Sequence, residues 1–417
     1  MGSASNKRHS YPHQAPFGRR SFLGSASGLL GGALVLTACG PSGDPEETPR
    51  DRADRKAAEE TSRARITITP ADGTAGAATT SMVKVAGGRL TAVTMTTAQG
   101  RTVKGTLSAD KSSWKPDAPL KRATSYEITA RAADDRDKQA TARSAFTTVT
   151  PANSFIGTFT PEDRSTVGVG MPVSLTFDKP VENKKGVEAA ITVTCSSGQR
   201  VVGHWFSANR LDFRPEQYWD SGSTVTLELA LEGVEASSGI QGVQRRTVTF
   251  RIGRSQVSTV DAATFEMRVV RDGRLLRTIP ISAGSGRTPT YNGQMVISEK
   301  HKETRMDGAT VGFGGEYDIP DVPHAMRLST SGTFIHGNYW SDRGVFGSSN
   351  TSHGCIGLSD VQGAGSSGTN GAWFYDNTLL GDVVIVKNSP DKTIQPDNGL
   401  NAWNLSWPDW VKGSALQ

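Results

Sequence analysis

A mainly β chain of several domains is the architecture this 417-residue sequence predicts, and three observations predict it. Gly 46 and Pro 20 make the chain turn-rich, while 35% hydrophobic residues still suffice for packed cores, which favours sheets over helical bundles. Segments such as Arg65-Ile66-Thr67-Ile68-Thr69 and Val173-Ser174-Leu175-Thr176-Phe177 alternate with the period of strands that bury one face. An internal repeat aligns Trp114-Lys115-Pro116-Asp117, Leu120 and Tyr126-Glu127-Ile128-Thr129-Ala130 with Phe213-Arg214-Pro215-Glu216, Trp219 and Val225-Thr226-Leu227-Glu228-Leu229, each 99 residues further on. A period near 100 residues filled with short strands is the size of an immunoglobulin-like β-sandwich. The expected architecture is therefore two such sandwiches followed by a third, β-rich domain. Three cysteines are too few for a disulfide scaffold, and only one segment, near the N-terminus, could engage a bilayer, which excludes a polytopic membrane protein.

Residues 1–38 contain Lys7, Arg8, Arg19 and Arg20 and no acidic residue, then a Gly-rich, weakly apolar run from Phe22 to Val35 that is too short to span stably. Leu36-Thr37-Ala38-Cys39 resembles a bacterial lipobox, which implies that 1–38 is a lipoprotein signal peptide and that Cys39 becomes the lipidated N-terminus. Arg19-Arg20-Ser21-Phe22-Leu23 resembles a twin-arginine signal, so export by either the Sec or the twin-arginine route is open. Without these residues the formal charge of +5 drops by four, to about +1. The basic balance is mostly the signal, and nucleic acid drops out as a partner.

Residues 39–64 are Pro-, Glu-, Asp- and Arg-rich with almost no large apolar side chain, the composition of a flexible tether. Its extended reach is on the order of 80–90 Å. Residues 65–150 and 151–253 are the two sandwiches, ending in similar strands around Phe146 and Phe250. Trp114, Trp205 and Trp219 are expected in their cores, and Cys195 is expected to be a buried strand thiol without chemistry. The third domain runs from 254 to 388. Its first hairpin turns on Asp272-Gly273, short strands follow at Met295–Ile297, Thr333–Ile335 and Val383–Val386, and one helix is expected around Ala372–Leu380. Residues 389–417 form a Trp-rich extension, with Trp403, Trp407 and Trp410 expected to pack it against the third domain rather than to stack on sugars.

The candidate chemistry lies in that domain, which holds four of the seven histidines and the one cysteine not otherwise explained. Thr333-Phe334-Ile335-His336-Gly337 reads as a strand ending in a histidine, and seventeen residues on comes Ser352-His353-Gly354-Cys355-Ile356-Gly357. A cysteine nucleophile needs a base to take its proton and N–H donors for the oxyanion, and a histidine opposite a Gly-Cys turn supplies both. Gly354 would let main chain and substrate approach closely.

His336 with Ser352-His353-Gly354-Cys355 resembles the signature of the L,D-transpeptidases, the YkuD-type catalytic domain. The resemblance covers the whole mature chain: lipobox, tether, two immunoglobulin-like modules, catalytic domain and Trp-rich extension follow the arrangement of the actinobacterial lipoprotein members. It implies a peptidoglycan enzyme whose cysteine attacks the third residue of a tetrapeptide stem, expels D-Ala, and passes the acyl group to the amine of a neighbouring stem as a 3→3 cross-link. By motif position Cys355 would be the nucleophile, His336 the base, the Gly332 carbonyl the group that orients the imidazole, and the Gly354 and Cys355 N–H groups the oxyanion hole. His353 and Ser352 would shape the pocket, and Met306 and Tyr317 match positions on the lid over it. No metal or organic cofactor is implied. Two positions depart from the pattern: Gly357, where many members carry Asn or Arg, and Gly337, where relatives often have Ser.

Competing chemistries fit less well. His336, His353 and Cys355 could supply three zinc ligands, but i and i+2 is tight for a shared metal, and neither Cys-x-x-Cys nor His-Glu-x-x-His accompanies them. A sortase needs an Arg soon after its Cys, and none follows Arg343. A papain-like endopeptidase places Cys before His, and no His follows Cys355. From a different class, a wall-binding lipoprotein with a vestigial enzyme domain has only Gly357 in its favour. The expected partners are peptidoglycan stem peptides and the cytoplasmic membrane, at whose outer face Cys39 would hold the protein. Oligomeric state has no signature in the sequence, and a monomer is the working expectation.

Overall fold

The computed structural model describes residues 61–417, so the export signal, Cys39 and most of the tether lie outside the described residues. From Arg65 to Thr148 eight strands form two four-stranded sheets that share one core. Alternation builds it: along Ser125–Ala133, Tyr126, Ile128, Ala130 and Ala132 are buried while Glu127 and Arg131 face solvent. In the second sandwich one sheet holds Gly157–Thr160, Val173–Phe177, Val201–Trp205 and Arg210–Pro215; the other holds Thr166–Val167, Ile191–Cys195, Thr224–Ala230 and Arg245–Ile252. Trp114, Trp205 and Trp219 are all buried, and the two in the second sandwich satisfy their N–H groups internally, on Glu188 at 2.8 Å and on the Met171 carbonyl at 2.6 Å. Cys195 differs from expectation. It shares the inward face of Ile191 and Val193 and packs on the core, but as the last residue of its strand it is only half-buried, with its sulfur 3.1 Å from Ser197 Oγ.

The third domain is built on a nine-stranded mixed sheet. Its strands are β1 (Gln256–Asp261), β2 (Glu266–Arg271), β3 (Arg274–Ser282), β4 (Gly293–Val296), β5 (Glu299–Asp307), β6 (Asp318–Arg327), β7 (Phe334–Asn338), β8 (Ile356–Ser359) and β9 (Val383–Lys387). The order across the sheet is β4-β9-β1-β2-β3-β8-β7-β6-β5. The first hairpin turns on Asp272-Gly273, with positive φ at both residues, as a two-residue loop of this kind requires. A helix, α1 (Asn370–Asp376), is capped by the Thr369 side chain on the Ala372 N–H and starts two residues before its expected position. β7 and β8 pair in parallel, Ile335 opposite Ile356 and His336 opposite Gly357. Strands paired this way are usually buried on both faces, and all five residues of β7 are buried. Ile335, Ile356 and Leu358 enter the main core with Ile281, Met326 and Phe374, each contributing on the order of 1.5–3 kcal/mol by burial. Phe334 and Cys355 face the other way, into a small cluster with Val322 and Ala325.

The C-terminal extension packs on the third domain through Ile394, as expected, and then reaches a second surface. Asn401 and Asn404 hold it to β4, but helix α2 (Trp407–Lys412) and its indoles lie on the second sandwich. Trp410 is fully buried there, its N–H on the Val202 carbonyl at 2.9 Å and its ring stacked on His204 at 4.7 Å. Arg214 of the repeat motif explains the switch. Its guanidinium lies 4.8, 5.5 and 4.5 Å from the rings of Trp403, Trp407 and Trp410, and three indole faces stabilise a cation. Burial pulls Arg214 down to about 10, which still leaves it charged at neutral pH. Trp403 also donates to the Gly170 carbonyl at 2.7 Å, and the Gly168 and Gly170 N–H groups donate to the Leu380 and Gly381 carbonyls at 2.7 and 2.9 Å, so the extension and these bonds clamp the third domain to its neighbour. Trp410→Ala should therefore destabilise the folded chain by about 3–5 kcal/mol, read as a lower denaturant midpoint, whereas a sugar-stacking Trp would leave that midpoint unchanged.

Candidate active site

The β7–β8 register dictates which side chains meet. Because side chains alternate, Ile335 and Ile356 on the core face force Phe334, His336, Cys355 and Gly357 onto the opposite face. There a cavity of about 460 Å³ opens, a size that suits a peptide segment. Its wall includes His336, Cys355, Gly332, Ser352, His353, Met306 and Tyr317, so one cavity holds every candidate site residue except Gly354.

Gly354 lies immediately before Cys355 with φ of +111°, a conformation that costs a side-chain-bearing residue roughly 1–2 kcal/mol. Crowding is not what requires glycine here, since an added Cβ would meet only ordinary contacts at 3.7 and 3.8 Å. The Gly354 N–H is engaged by Ser352 Oγ at 3.1 Å, and Ser352 donates in turn to the Cys355 carbonyl at 2.6 Å. Ser352 thus braces the turn that presents Cys355, and the Gly354 N–H expected in an oxyanion hole is occupied in this structure.

The group orienting the imidazole is also different from the one expected. His336 Nδ1 lies 2.8 Å from the carbonyl of Gly337, not of Gly332. A carbonyl can only accept, so Nδ1 carries the proton and Nε2 is left free to take one. The Gly332 carbonyl instead receives the Cys355 thiol at 3.6 Å. Gly332 has φ of +97°, and a Cβ there would strike Val311 at 2.5 Å, so glycine lets the lid close onto this carbonyl.

That lid is the end of β5 with Met306, a short turn at Gly308–Val311, and the approach to β6 with Tyr317. His353 joins it by packing against Phe313 and Tyr317, with ring centroids 5.4 and 5.1 Å away, and by its Nε2 contact with Glu316 at 3.0 Å. Burial pushes Tyr317 up to about 12, with the nearby Cys355 adding to the rise, so its hydroxyl remains a donor.

Burial dominates the electrostatics of the reacting pair. It pushes Cys355 up to about 11, against opposing pulls from the Phe334 N–H and the Arg327 charge. It lowers His336 below its ordinary value, against the Gly337 carbonyl bond and the charge of Asp360. Both shifts favour the neutral forms, so the resting pair is thiol and imidazole. Among the described residues no three of His, Cys, Asp and Glu converge as a metal would require.

Sequence reasoning missed three contributors. Trp340 stacks on His336 with ring centroids 5.6 Å apart and planes at 18°, and an aromatic four residues beyond the base was its only signal. Arg327 lies over the Phe334 ring at 4.6 Å, pairs with Glu299 at 3.0 Å and directs its charge at Cys355, with no local pattern to mark it. Gly337 was visible only as a departure from Ser. The other departure, Gly357, has a φ open to any residue, and a Cβ there would sit at ordinary distances from Ser282 and Asn338.

Comparison with known proteins identifies the domains. Residues 255–386 match the model of the L,D-transpeptidase catalytic domain, and residues 72–235 match a bacterial Ig domain. L,D-transpeptidase 2 of Mycobacterium tuberculosis is 32% identical over 358 residues, which cover 84% of this chain and 85% of that protein. The chain belongs to the L,D-transpeptidase family. L,D-transpeptidase 5 of the same species is 31% identical over 363 residues, covering 84% of this chain and 77% of that protein. A solved structure of the L,D-transpeptidase LdtMt1 in complex with imipenem aligns with 57% of this chain and 100% of its own, at 28% identity and a TM-score of 0.48.

The neutral resting pair makes a directional prediction for this family member. In a Cys195→Ser background, alkylation of Cys355 by iodoacetamide should keep accelerating with pH to about 11, because only the thiolate reacts. A rate that levels off near the ordinary thiol value of 9.0 would contradict the burial argument.

Proposed function

We propose that this protein is a peptidoglycan L,D-transpeptidase that forms 3→3 cross-links through a thioester on Cys355. The observation that carries the reading is the placement of Cys355 and His336 on one face of the parallel β7–β8 pair, inside one cavity, in a member of this family. Cys355 Sγ attacks the carbonyl of the third stem residue as its proton passes to His336 Nε2. The amide bond to D-Ala then breaks, the imidazolium returns the proton to the departing amine, and a thioester remains. The side-chain amine of a neighbouring stem attacks that thioester, its proton goes to His336, and the thiolate leaves. The Cys355 N–H stabilises the oxyanion, and the Gly354 N–H joins it if Ser352 Oγ turns away. Trp340, stacked on the base, favours the imidazolium while it exists. The stem enters beneath the Met306–Tyr317 lid.

The same proposal places the protein at the outer face of the cytoplasmic membrane, held by lipid on Cys39. The tether and two sandwiches carry the cavity outward to the wall, where the chain acts as a monomer.

Incubation with a stem tetrapeptide and an acceptor stem tests the reaction. Release of D-Ala with formation of a 3→3 dimer is expected. Cys355→Ala should abolish both, and His336→Ala should slow them by about 10²–10⁴-fold. A carbapenem should add its mass to the wild-type chain and not to Cys355→Ala. Wall binding that persists without D-Ala release or any adduct would instead identify a vestigial, wall-binding domain.

A further inference from the structure

Directly behind the base lies a buried histidine–aspartate pair that the reaction as described does not use. His324 on β6 and Asp360, the residue after β8, meet through Nδ1 and Oδ2 at 2.7 Å, with side chains only 5% and 0% exposed. The other carboxylate oxygen accepts from Thr369 Oγ1 at 2.7 Å and from the Val361 N–H at 2.8 Å. Asp360 is therefore held by three donors from three segments, which satisfies both of its buried oxygens.

Two glycines make room for it. A Cβ on Gly337 would lie 2.2 Å from Asp360 Oδ2, and one on Gly371, in the first turn of α1, would lie 2.1 Å from the same atom. Gly337 is also the residue whose carbonyl holds His336 Nδ1. The carboxylate thus rests against one side of a residue whose carbonyl holds the base. His324 is itself held in a backbone conformation with φ of +49°, unusual for a side-chain-bearing residue, and its ring packs against Tyr375 at 5.2 Å. A strained residue persists only where its surroundings over-determine it, and here the strain places a donor on Asp360.

We propose that the His324–Asp360 pair is a positioning unit for the base: through Gly337 it holds the His336 imidazole in register, and Asp360 supplies the negative charge that balances the imidazolium formed when the Cys355 proton arrives. The proposal rests on the reading of Cys355 and His336 as nucleophile and base. It also gives Gly337 a physical reason, since any larger residue would displace the carboxylate. A buried imidazolium is costly without a nearby anion, and Asp360 is the carboxylate whose charge favours the charged form of His336. Tyr375 of α1 packs against the pair, with Asp376 beside it and Lys300 of β5 over its ring at 4.3 Å, while on the cavity side His336 shares its walls with Cys355, Arg327, Tyr317 and His353.

The test uses the chain in a Cys195→Ser background and needs no wall substrate. Asp360→Asn keeps the shape and removes the charge. The midpoint of the His336 titration, followed by NMR of labelled histidine, should fall by about one pH unit, and Cys355 alkylation by iodoacetamide at neutral pH should slow about tenfold. A purely structural role would lower the unfolding midpoint and leave the His336 titration in place. His324→Gln removes the partner and leaves the carboxylate, so the His336 midpoint should stay or rise. An unchanged midpoint in Asp360→Asn would overturn the proposal. If that variant does not fold, a lowered midpoint in His324→Gln overturns it and a midpoint at or above wild type supports it. Loss of D-Ala release with a normal response in these assays would count against the transpeptidase reading alone.

Discussion

The parallel pairing of β7 with β8 is the constraint on which the site depends. Its register, Ile335 beside Ile356 and His336 beside Gly357, is locked by the main core, because a slip of one residue would turn Ile335 and Ile356 into the cavity and His336 into the apolar interior. His336 and Cys355, separate in the chain, thereby share one face. The turn before β8 completes the arrangement, with Gly354 adopting a backbone conformation that suits glycine and Ser352 bracing the peptide that carries the nucleophile.

Burial then sets the chemistry. Removing a thiol and an imidazole from water favours their neutral forms, so the enclosed pair is quiet at rest and each charge must be offset as it appears. Arg327 and the Phe334 N–H face the sulfur, while Trp340, the Gly337 carbonyl and Asp360 face the base. The two walls of the cavity therefore have opposite electrostatic character, the arrangement expected where a proton moves from sulfur to nitrogen. Rigidity of the surrounding frame matters as much, and the extension that runs back from the third domain to Arg214 and Trp410 supplies part of it.

Much of this was legible in the sequence for identifiable reasons. Alternating strands and a 99-residue repeat mark the sandwiches because Trp114, Tyr126 and their counterparts are core positions that must stay large and apolar. His336 and the Ser352–Cys355 run mark the reacting pair because their spacing is short enough to read as a strand and a turn. What was not legible depends on three-dimensional packing. Nothing in the pattern says which carbonyl His336 will meet, since that turns on how its ring is packed within β7. Arg327 and His324 on β6 and Asp360 just after β8 are brought to the site by sheet pairing and carry no pattern. The destination of Trp410 was misread because its partner, Arg214, lies in another domain and was visible only as a member of the repeat.

The central claim is that Cys355 is the atom acylated during turnover. Rapid mixing of the wild-type chain with a stem tetrapeptide, acid quenching and mass spectrometry of the cysteine peptides would test it most directly. The account predicts a transient thioester carrying the tripeptide acyl group on the Cys355 peptide, with Cys195 unmodified. An acyl group found on Cys195 or Ser352, or turnover with no covalent intermediate on Cys355, would contradict it.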